Sequence, residues 1–238
     1  MVFNRFGPPE VLEVVEMPTP QPAPDEVLVR VAAVSIGRLL DLLTRSGKHP
    51  YVRLEPPHIL GADHCGVVVR AGLEVTHLKV GDRVATFPCV TCRDCAACRS
   101  GHDDLCAGFG VIGTHRPGAY AEYVSVPARN ANVVPADIDP VDATTLALSG
   151  PIAVNQFTKA GLKHDQWILV QAAASALGST TAAYARFCGA NVVVTSRSER
   201  KRQTLTGLGF HTLDATAPDF SDQLLSLTHG RGVDIAVD

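Results

Sequence analysis

Four cysteines in one short stretch limit how this chain can fold. Cys92, Cys95, Cys98 and Cys106 stand in the string CRDCAACRSGHDDLC, with the spacing C-x2-C-x2-C-x7-C. Three thiols at steps of three residues, and a fourth farther on, allow one lobe to surround a tetrahedral zinc ion. Four thiolates leave no coordination position open, so such a zinc is structural. A redox CxxC pair or disulfides are the alternatives, but overlapping CxxC steps with a fourth cysteine favour metal.

Strands and helices alternate in the second half of the chain. The strand candidates are WILVQ, NVVVT, HTLD and VDIAV, and the helix candidates are 176–188, 199–208 and 222–228. This alternation predicts a parallel, doubly wound sheet. A Rossmann sheet has about six strands, in the order 3-2-1-4-5-6. Because VDIAV is followed only by Asp238, we expect an incomplete Rossmann domain and a C-terminally truncated chain.

The first half of the chain is rich in short β-type runs. They are VLEVVEM, VLVRVAAV, CGVVVRAG, DRVATF and AYAEYVSV, separated by segments rich in Pro and Gly. Many short strands with such breaks predict a barrel or sandwich. We therefore expect a β domain over residues 1–135, with the cysteine lobe at about 89–107, and a nucleotide-binding domain over 136–238.

Composition excludes several classes of protein. The net charge is −3 and 19% of the 238 residues are charged, which argues against a nucleic-acid partner. No apolar stretch is long enough for a membrane span, and the N-terminus lacks the apolar centre of a signal peptide. The seven cysteines are clustered, as expected in a reducing cytoplasm.

The turn after WILV has the position of a dinucleotide-binding turn. In such a fold, backbone N–H groups and a helix N-terminus meet the pyrophosphate of the cofactor. The predicted contacts are Ala172, Ala173, Ser175, Ala176, Leu177 and Gly178. Only the last of these is Gly, and the alternative is a tightly packed strand-to-helix turn without a ligand.

The residues after NVVVT predict which cofactor is preferred. An NAD site places Asp or Glu at this strand end, where it binds the ribose 2′-hydroxyl. Here the chain has Ser196, Arg197 and Arg200 instead, and guanidinium groups bind phosphate in a bidentate way. We therefore expect NADP(H), the alternative being an ordinary solvated first turn of a helix.

Several segments together resemble the medium-chain dehydrogenase/reductase superfamily of zinc alcohol dehydrogenases and quinone oxidoreductases. They are the cysteine lobe, GPPEVLEVVEMPTPQPAPDEVLVRV, ILGADHCGVV, HLKVGDRVATF, GAYAEYVSVP and KAGLKHDQWILVQAAASALG. The resemblance implies a GroES-like β-barrel domain with a structural-zinc lobe, followed by a Rossmann domain. It also implies hydride transfer to or from a carbonyl, quinone or activated alkene, a small-molecule substrate, and a homo-oligomer when full length.

The sequence departs from the zinc alcohol dehydrogenases at the expected catalytic zinc. Where those enzymes have Cys-x-x-Asp this chain has Arg38 to Asp41, and where they have Gly-His-Glu it has Gly61, Ala62 and Asp63. Loss of the Cys and His ligands predicts no catalytic zinc, because such a site needs about three protein ligands. Arg38, Asp41 and Asp63 are then the candidate catalytic residues, Arg38 as a donor and the two carboxylates as orienting groups.

Two alternatives stay open on the sequence. One is a zinc-dependent alcohol dehydrogenase with a rearranged ligand set of Asp63, His64 and Cys65. The other is a truncated, non-catalytic remnant. Adjacent strand residues point to opposite faces, which makes His64 and Cys65 poor joint ligands.

Overall fold

The computed structural model describes all residues, 1–238. It contains two compact units, Met1–Leu148 and Ser149–Asp238. No helix is long and apolar enough to cross a bilayer.

The first unit is built mainly from antiparallel strands. Its strands are β1 (Val2–Phe3), β2 (Leu12–Glu13), β3 (Glu26–Val34), β4 (His64–Ala71), β5 (Arg83–Thr86), β6 (Cys89–Val90), β7 (Gly110–Val111), β8 (Tyr123–Pro127) and β9 (Ala131–Val133). Its helices are α1 (Arg38–Arg45), α2 (Ala96–Arg99) and α3 (Pro140–Ala143). The main sheet has the order β8-β3-β4-β5-β9, and β1-β2 and β6-β7 form two small pairs. The predicted β domain is confirmed.

Alternating valines form the core of the first unit. Val27 and Val29 of β3 are fully buried against Val68, Val84 and Val126 of neighbouring strands. Successive strand residues face opposite sides, so this spacing directs one face of the sheet inward. Burial of each such side chain contributes about 1.5–3 kcal/mol to stability.

The predicted strand VLEVVEM is wrong beyond Glu13. Val14 is 86% exposed and Met17 is 54% exposed, and neither belongs to a strand. Pro18 and Pro20 follow directly. Pro cannot donate a ladder hydrogen bond, so these residues do not favour strand pairing. Apolar composition alone therefore does not make this segment a strand.

The first unit extends past the predicted boundary at residue 135. Its last part includes α3, where the Asp139 carboxylate accepts a hydrogen bond from Val141 N at 2.8 Å and caps the helix. Ala143 packs with Cys65 and Ala85 in a small apolar cluster on the first unit. Residues 136–148 therefore belong to the first unit, which ends at Leu148.

The second unit is a four-stranded parallel sheet with helices. Its strands are β10 (Trp167–Val170), β11 (Asn191–Thr195), β12 (His211–Leu213) and β13 (Ile235–Val237), and its helices are α4 (Ser149–Ala160), α5 (Ala176–Phe187), α6 (Glu199–Gly207) and α7 (Phe220–Leu227). The sheet order β12-β11-β10-β13, with all pairs parallel, is the predicted 3-2-1-4 arrangement. The Rossmann-type fold is confirmed.

Both faces of this sheet are covered. On one face Ile168 and Val194 pack with Ala182 of α5, and on the other Val193 packs with Phe220 and Leu224 of α7. Burial on both faces explains why the strands are continuous apolar runs. The arrangement brings the carboxyl ends of β10 and β11 together, where parallel α/β sheets bind their ligands.

Candidate metal and cofactor sites

The four predicted metal ligands meet in one lobe. Their sulfur atoms all lie within 4.8 Å of one another, and the Cys92 and Cys106 sulfurs are 3.5 Å apart. A tetrahedral zinc with Zn–S bonds of about 2.3 Å separates its sulfurs by about 3.8 Å. The four thiols therefore fit a zinc ion, and they would hold it in a closed, structural site.

The backbone around these sulfurs favours thiolates. Cys92 N donates to the sulfur of Cys106 at 3.2 Å, and Cys95 N donates to the sulfur of Cys92 at 3.4 Å. Backbone N–H groups of Cys98 and Ala107 lower the pKa of the Cys95 thiol to about 6. Desolvation raises the pKa of the Cys98 thiol to about 12, so a metal ion that binds here must displace a proton from this ligand.

The alternative ligand set is not brought together. Across residues 1–238, the cysteine lobe is the one group of three or more His, Cys, Asp or Glu side chains with ligand atoms this close. His64 is fully buried, and its Nδ1 lies 2.9 Å from the carbonyl oxygen of Ala62. The side chain of Cys65 instead packs in the apolar cluster with Ala85. Asp63, His64 and Cys65 therefore do not form a metal site in this structure.

Burial keeps His64 neutral. Desolvation lowers the pKa of its imidazole to about 4, against the hydrogen bond to the Ala62 carbonyl. Its Nε2 atom is buried and has no hydrogen-bond partner. His64 is thus a core residue at the start of β4, beside Asp63 in sequence but closed off from solvent.

Asp41 is hydrogen-bonded to a residue that the sequence did not single out. Tyr120 Oη donates to Asp41 Oδ2 at 2.6 Å, linking α1 to the segment before β8. Burial raises the pKa of Asp41, and this hydrogen bond opposes the rise. Desolvation and the same bond raise the pKa of Tyr120. The only sequence signal for Tyr120 was its place in GAYAEYVSVP.

Asp63 lies within electrostatic range of Asp41 but, unlike Asp41, accepts no hydrogen bond from Tyr120. Its Oδ1 atom is buried and has no hydrogen-bond partner. Burial, and then the negative charge of Asp41, raise the pKa of the Asp63 carboxyl to about 6. Burial and the Asp63 charge also raise the pKa of the Cys89 thiol to about 11. Two of the three predicted catalytic residues therefore share one electrostatic environment.

Arg38 does not join the two carboxylates. It is exposed at the first position of α1, and it makes no ion pair with Asp41 or Asp63. The cation whose charge lowers the pKa of Asp41 is Arg45. The predicted donor role of Arg38 has no support from a contact in this structure.

The predicted dinucleotide turn lies at the carboxyl end of β10. Ser175 Oγ accepts a hydrogen bond from Gly178 N at 3.1 Å and caps α5. The N–H groups of Ala176 and Leu177 have no acceptor within the protein. Ala172 adopts a positive φ of 48°. Free N–H groups at a helix N-terminus attract anions, so this turn fits a pyrophosphate.

Close packing explains the single glycine in this turn. A Cβ on Gly178 would lie 2.6 Å from the carbonyl oxygen of Ala172 and 2.9 Å from Ala173 Cα. Ala173 is buried, and its N–H donates to Thr195 O at 3.2 Å, which joins the turn to the end of β11. Of the other predicted contacts, Ala172, Ser175 and Ala176 are exposed and Leu177 is half-buried.

Three arginines near the end of β11 have different roles. Arg202 is only 17% exposed and pairs with Asp214 at 2.8 Å, and it also donates to the Ser196 carbonyl at 2.7 Å. Arg197 and Arg200 are exposed and form no ion pair or side-chain hydrogen bond. Two cations thus remain free at the strand end where a 2′-phosphate would bind.

Comparisons with known proteins place the chain in a family. Residues 23–137 match the family described as alcohol dehydrogenase GroES-like domain, and residues 176–238 match the family described as zinc-binding dehydrogenase. L-galactonate-5-dehydrogenase of Escherichia coli (strain K12) is 37% identical over 209 residues, which cover 86% of this chain and 59% of that protein.

Two solved structures add to this likeness. The crystal structure of an NAD-dependent alcohol dehydrogenase matches with a TM-score of 0.91 and 37% identity, covering 100% of this chain and 69% of that one. A structure from Sinorhizobium meliloti 1021, described as a zinc-binding dehydrogenase bound to NADP, matches with a TM-score of 0.75 and 32% identity, covering 85% of this chain and 58% of that one.

The fold and these matches define a GroES-like domain joined to a nucleotide-binding domain of the dehydrogenase type. The chain belongs to the medium-chain dehydrogenase/reductase superfamily, as the sequence predicted. It spans 59% and 69% of the lengths of the two relatives that it matches at 37% identity.

Proposed function

We propose that this protein is an NADP(H)-dependent oxidoreductase that transfers hydride to or from a carbonyl, quinone or activated alkene without a catalytic zinc. The observation that carries the proposal is the turn after β10, where the N–H groups of Ala176 and Leu177 have no acceptor within the protein at a helix N-terminus. The nicotinamide cofactor supplies the hydride chemistry when it is bound. The chain's own residues hold the cofactor and set the charge around the substrate.

The four-cysteine lobe supports a structural metal, separate from the reaction. We assign Cys92, Cys95, Cys98 and Cys106 to one zinc ion, because their sulfurs approach tetrahedral spacing. The absence of a catalytic zinc rests on Arg38 and Ala62, which stand at the positions of the expected Cys and His ligands.

Preference for NADP(H) rests on the free cations at the end of β11. Arg197 and Arg200 are exposed and unpaired, and residues 196–198, directly after the strand, include no acid to bind a ribose 2′-hydroxyl. One arginine–phosphate contact in a partly exposed site contributes about 1–3 kcal/mol, or roughly a five- to hundred-fold preference. The contribution should fall with rising salt, because exposed charges are screened.

The test of cofactor preference uses the adenine half of the cofactor. We would measure binding of 2′,5′-ADP and of 5′-AMP, which differ only in the 2′-phosphate, by calorimetry to the parent chain, to Arg197→Ala and to Lys163→Ala. Lys163 is an exposed cation before the amino end of β10. The Lys163→Ala variant therefore removes one positive charge at the opposite edge of the sheet. Arg197→Ala should weaken 2′,5′-ADP selectively, and Lys163→Ala should not. Equal affinity of the parent for both nucleotides would refute the NADP(H) preference.

The test of the reaction follows the hydride. Reduced cofactor carrying deuterium at C4 of the nicotinamide would be incubated with the protein and a panel of quinones, enones and aldehydes. Mass spectrometry should find deuterium on carbon in an enone or aldehyde product. For a quinone, where no C–D bond persists, cofactor oxidation at an equal rate to quinone loss is expected. No reaction with any member of the panel would reject the oxidoreductase proposal for this chain.

A further inference from the structure

Two acidic side chains lie close to the carboxyl end of β11, although residues 196–198 include none. Glu199 begins α6, and Asp214 directly follows β12, the strand beside β11. A carboxylate at this end of the sheet is the group that binds a ribose 2′-hydroxyl in an NAD site, and it would repel a 2′-phosphate. The choice of cofactor therefore depends on what holds these two carboxylates.

One arginine pairs with both acids. The Arg202 guanidinium lies 2.5 Å from a carboxylate oxygen of Glu199 and 2.8 Å from Asp214 Oδ2. No other Lys, Arg or His side chain forms an ion pair with either acid. The side chain of Arg202 is only 17% exposed, and that of Asp214 is 29% exposed. Their ion pair is therefore screened less by salt than a pair on the open surface.

The same guanidinium fixes the loop that carries Arg197. Arg202 Nη1 donates to the Ser196 carbonyl oxygen at 2.7 Å, and Ser196 N donates to the Leu213 carbonyl oxygen at 3.3 Å. Ser198 N donates to Ser196 Oγ at 3.3 Å, so the residues on both sides of Arg197 are held. Arg202 thereby joins the ends of β11 and β12 to the first turn of α6, while the Arg197 side chain stays exposed.

We propose that Arg202 is a positioning residue that sets the cofactor preference, because it neutralises Glu199 and Asp214 and holds the loop after β11. Its guanidinium is engaged by the two acids, so Arg197 and Arg200 remain to bind the 2′-phosphate. The inference rests on the NADP(H) preference proposed above. Without Arg202, the same end of the sheet would hold two unpaired carboxylates, a charge pattern that favours a ribose 2′-hydroxyl.

The first test removes the charge of Arg202. Arg202→Gln keeps an amide that can donate to the Ser196 carbonyl oxygen but leaves both carboxylates without an ion pair. Binding of 2′,5′-ADP should weaken, because the 2′-phosphate now meets uncompensated negative charge, and 5′-AMP should bind as in the parent. Calorimetry measures both dissociation constants, and the preference for 2′,5′-ADP over 5′-AMP should fall by about three- to tenfold.

A second substitution separates the effect of charge from damage to the fold. Asp214→Asn in the Arg202→Gln background removes one carboxylate and keeps the Oδ1 atom, which accepts hydrogen bonds from Thr216 N at 2.9 Å and Thr216 Oγ1 at 2.7 Å. The double variant should regain at least about twofold in preference over Arg202→Gln, because one source of repulsion is gone. Asp214→Asn alone leaves the charge of Arg202 in place and should not lower the preference of the parent.

The control is Arg186→Gln. Arg186 is an exposed cation of the same unit that donates to the Leu208 carbonyl oxygen at 2.6 Å, before the amino end of β12. Its loss should leave the preference unchanged. Circular dichroism verifies that each variant is folded at the temperature of the calorimetry.

The outcomes distinguish this inference from the proposed function. Equal affinity of the parent for the two nucleotides would refute the NADP(H) preference and, with it, this role of Arg202. A parent that prefers 2′,5′-ADP, with an equal preference in Arg202→Gln, would overturn the role of Arg202 alone. A fall in preference that Asp214→Asn does not restore, or a fall in Asp214→Asn alone, would also overturn it.

Discussion

Replacing Asp63 by Asn should change how the stability of the first unit depends on pH. The pKa of this carboxyl is raised from 3.8 to about 6 by burial and by Asp41. Between these values the folded state binds the proton more tightly than the unfolded state does. Stability is therefore full below about pH 4 and falls as the pH rises toward 6. A difference of about two pKa units corresponds to about 3 kcal/mol at pH 7.

His64 gives the opposite trend. Its pKa is lowered from 6.5 to about 4 by burial. Between these pH values the imidazole is protonated in the unfolded state and neutral in the folded state. Stability therefore falls as the pH drops from 6.5 toward 4. In the parent, the pH-dependent contributions of Asp63 and His64 to the free energy of unfolding partly cancel. Asp63→Asn removes only the Asp63 contribution and leaves the acid destabilisation due to His64.

The assay is native-state hydrogen exchange of β4 and β5 amides, which reports opening of the first unit. The free energy of opening is compared between Asp63→Asn and the parent from pH 4 to pH 7. Because other titrations are common to both proteins, they cancel in the difference. We expect little difference at pH 4 and a variant that is more stable by about 3 kcal/mol at pH 7. A difference that does not change with pH would refute the reasoning, and Asp137→Asn serves as the control.

Two further substitutions test the lobe and the turn. Cys95→Ser should abolish zinc binding and lower the melting temperature, because metal-binding energy contributes to folding; Cys89→Ser, outside the ligand set, should retain the metal. Gly178→Ala places a Cβ 2.6 Å from the Ala172 carbonyl oxygen and should cost about 1–3 kcal/mol and weaken 2′,5′-ADP binding. Gly207→Ala is the control, because its Cβ would meet nothing within 4 Å, and it should be neutral or stabilising by up to about 1 kcal/mol. Calorimetry measures the thermal stability and the 2′,5′-ADP affinity of both variants.

Local patterns were enough to predict the parallel sheet. The runs in β10 and β11 are apolar throughout because both faces of each strand are buried. Gly189 ends the helix region after α5 with a φ of 82°, a conformation that Gly adopts without strain. These features depend on near neighbours in sequence, and the sequence therefore reveals them.

Contacts between distant segments could not be predicted in this way. VLEVVEM has the composition of a strand, but most of it has no strand partner. Arg197, Arg200 and Arg202 look alike in sequence, and only the fold shows that Arg202 reaches Asp214 while the other two stay free. The bond between Tyr120 and Asp41 joins residues 79 positions apart, and no local pattern indicates it.

Counting zinc in an active preparation tests the central claim, hydride transfer without a catalytic metal. Elemental analysis of the purified protein should find one zinc per chain, and NADPH-dependent reduction should continue at the same rate after treatment with a chelator that does not unfold it. Two zinc ions per chain, or activity that is lost on chelation and restored by zinc while the fold persists, would contradict the account.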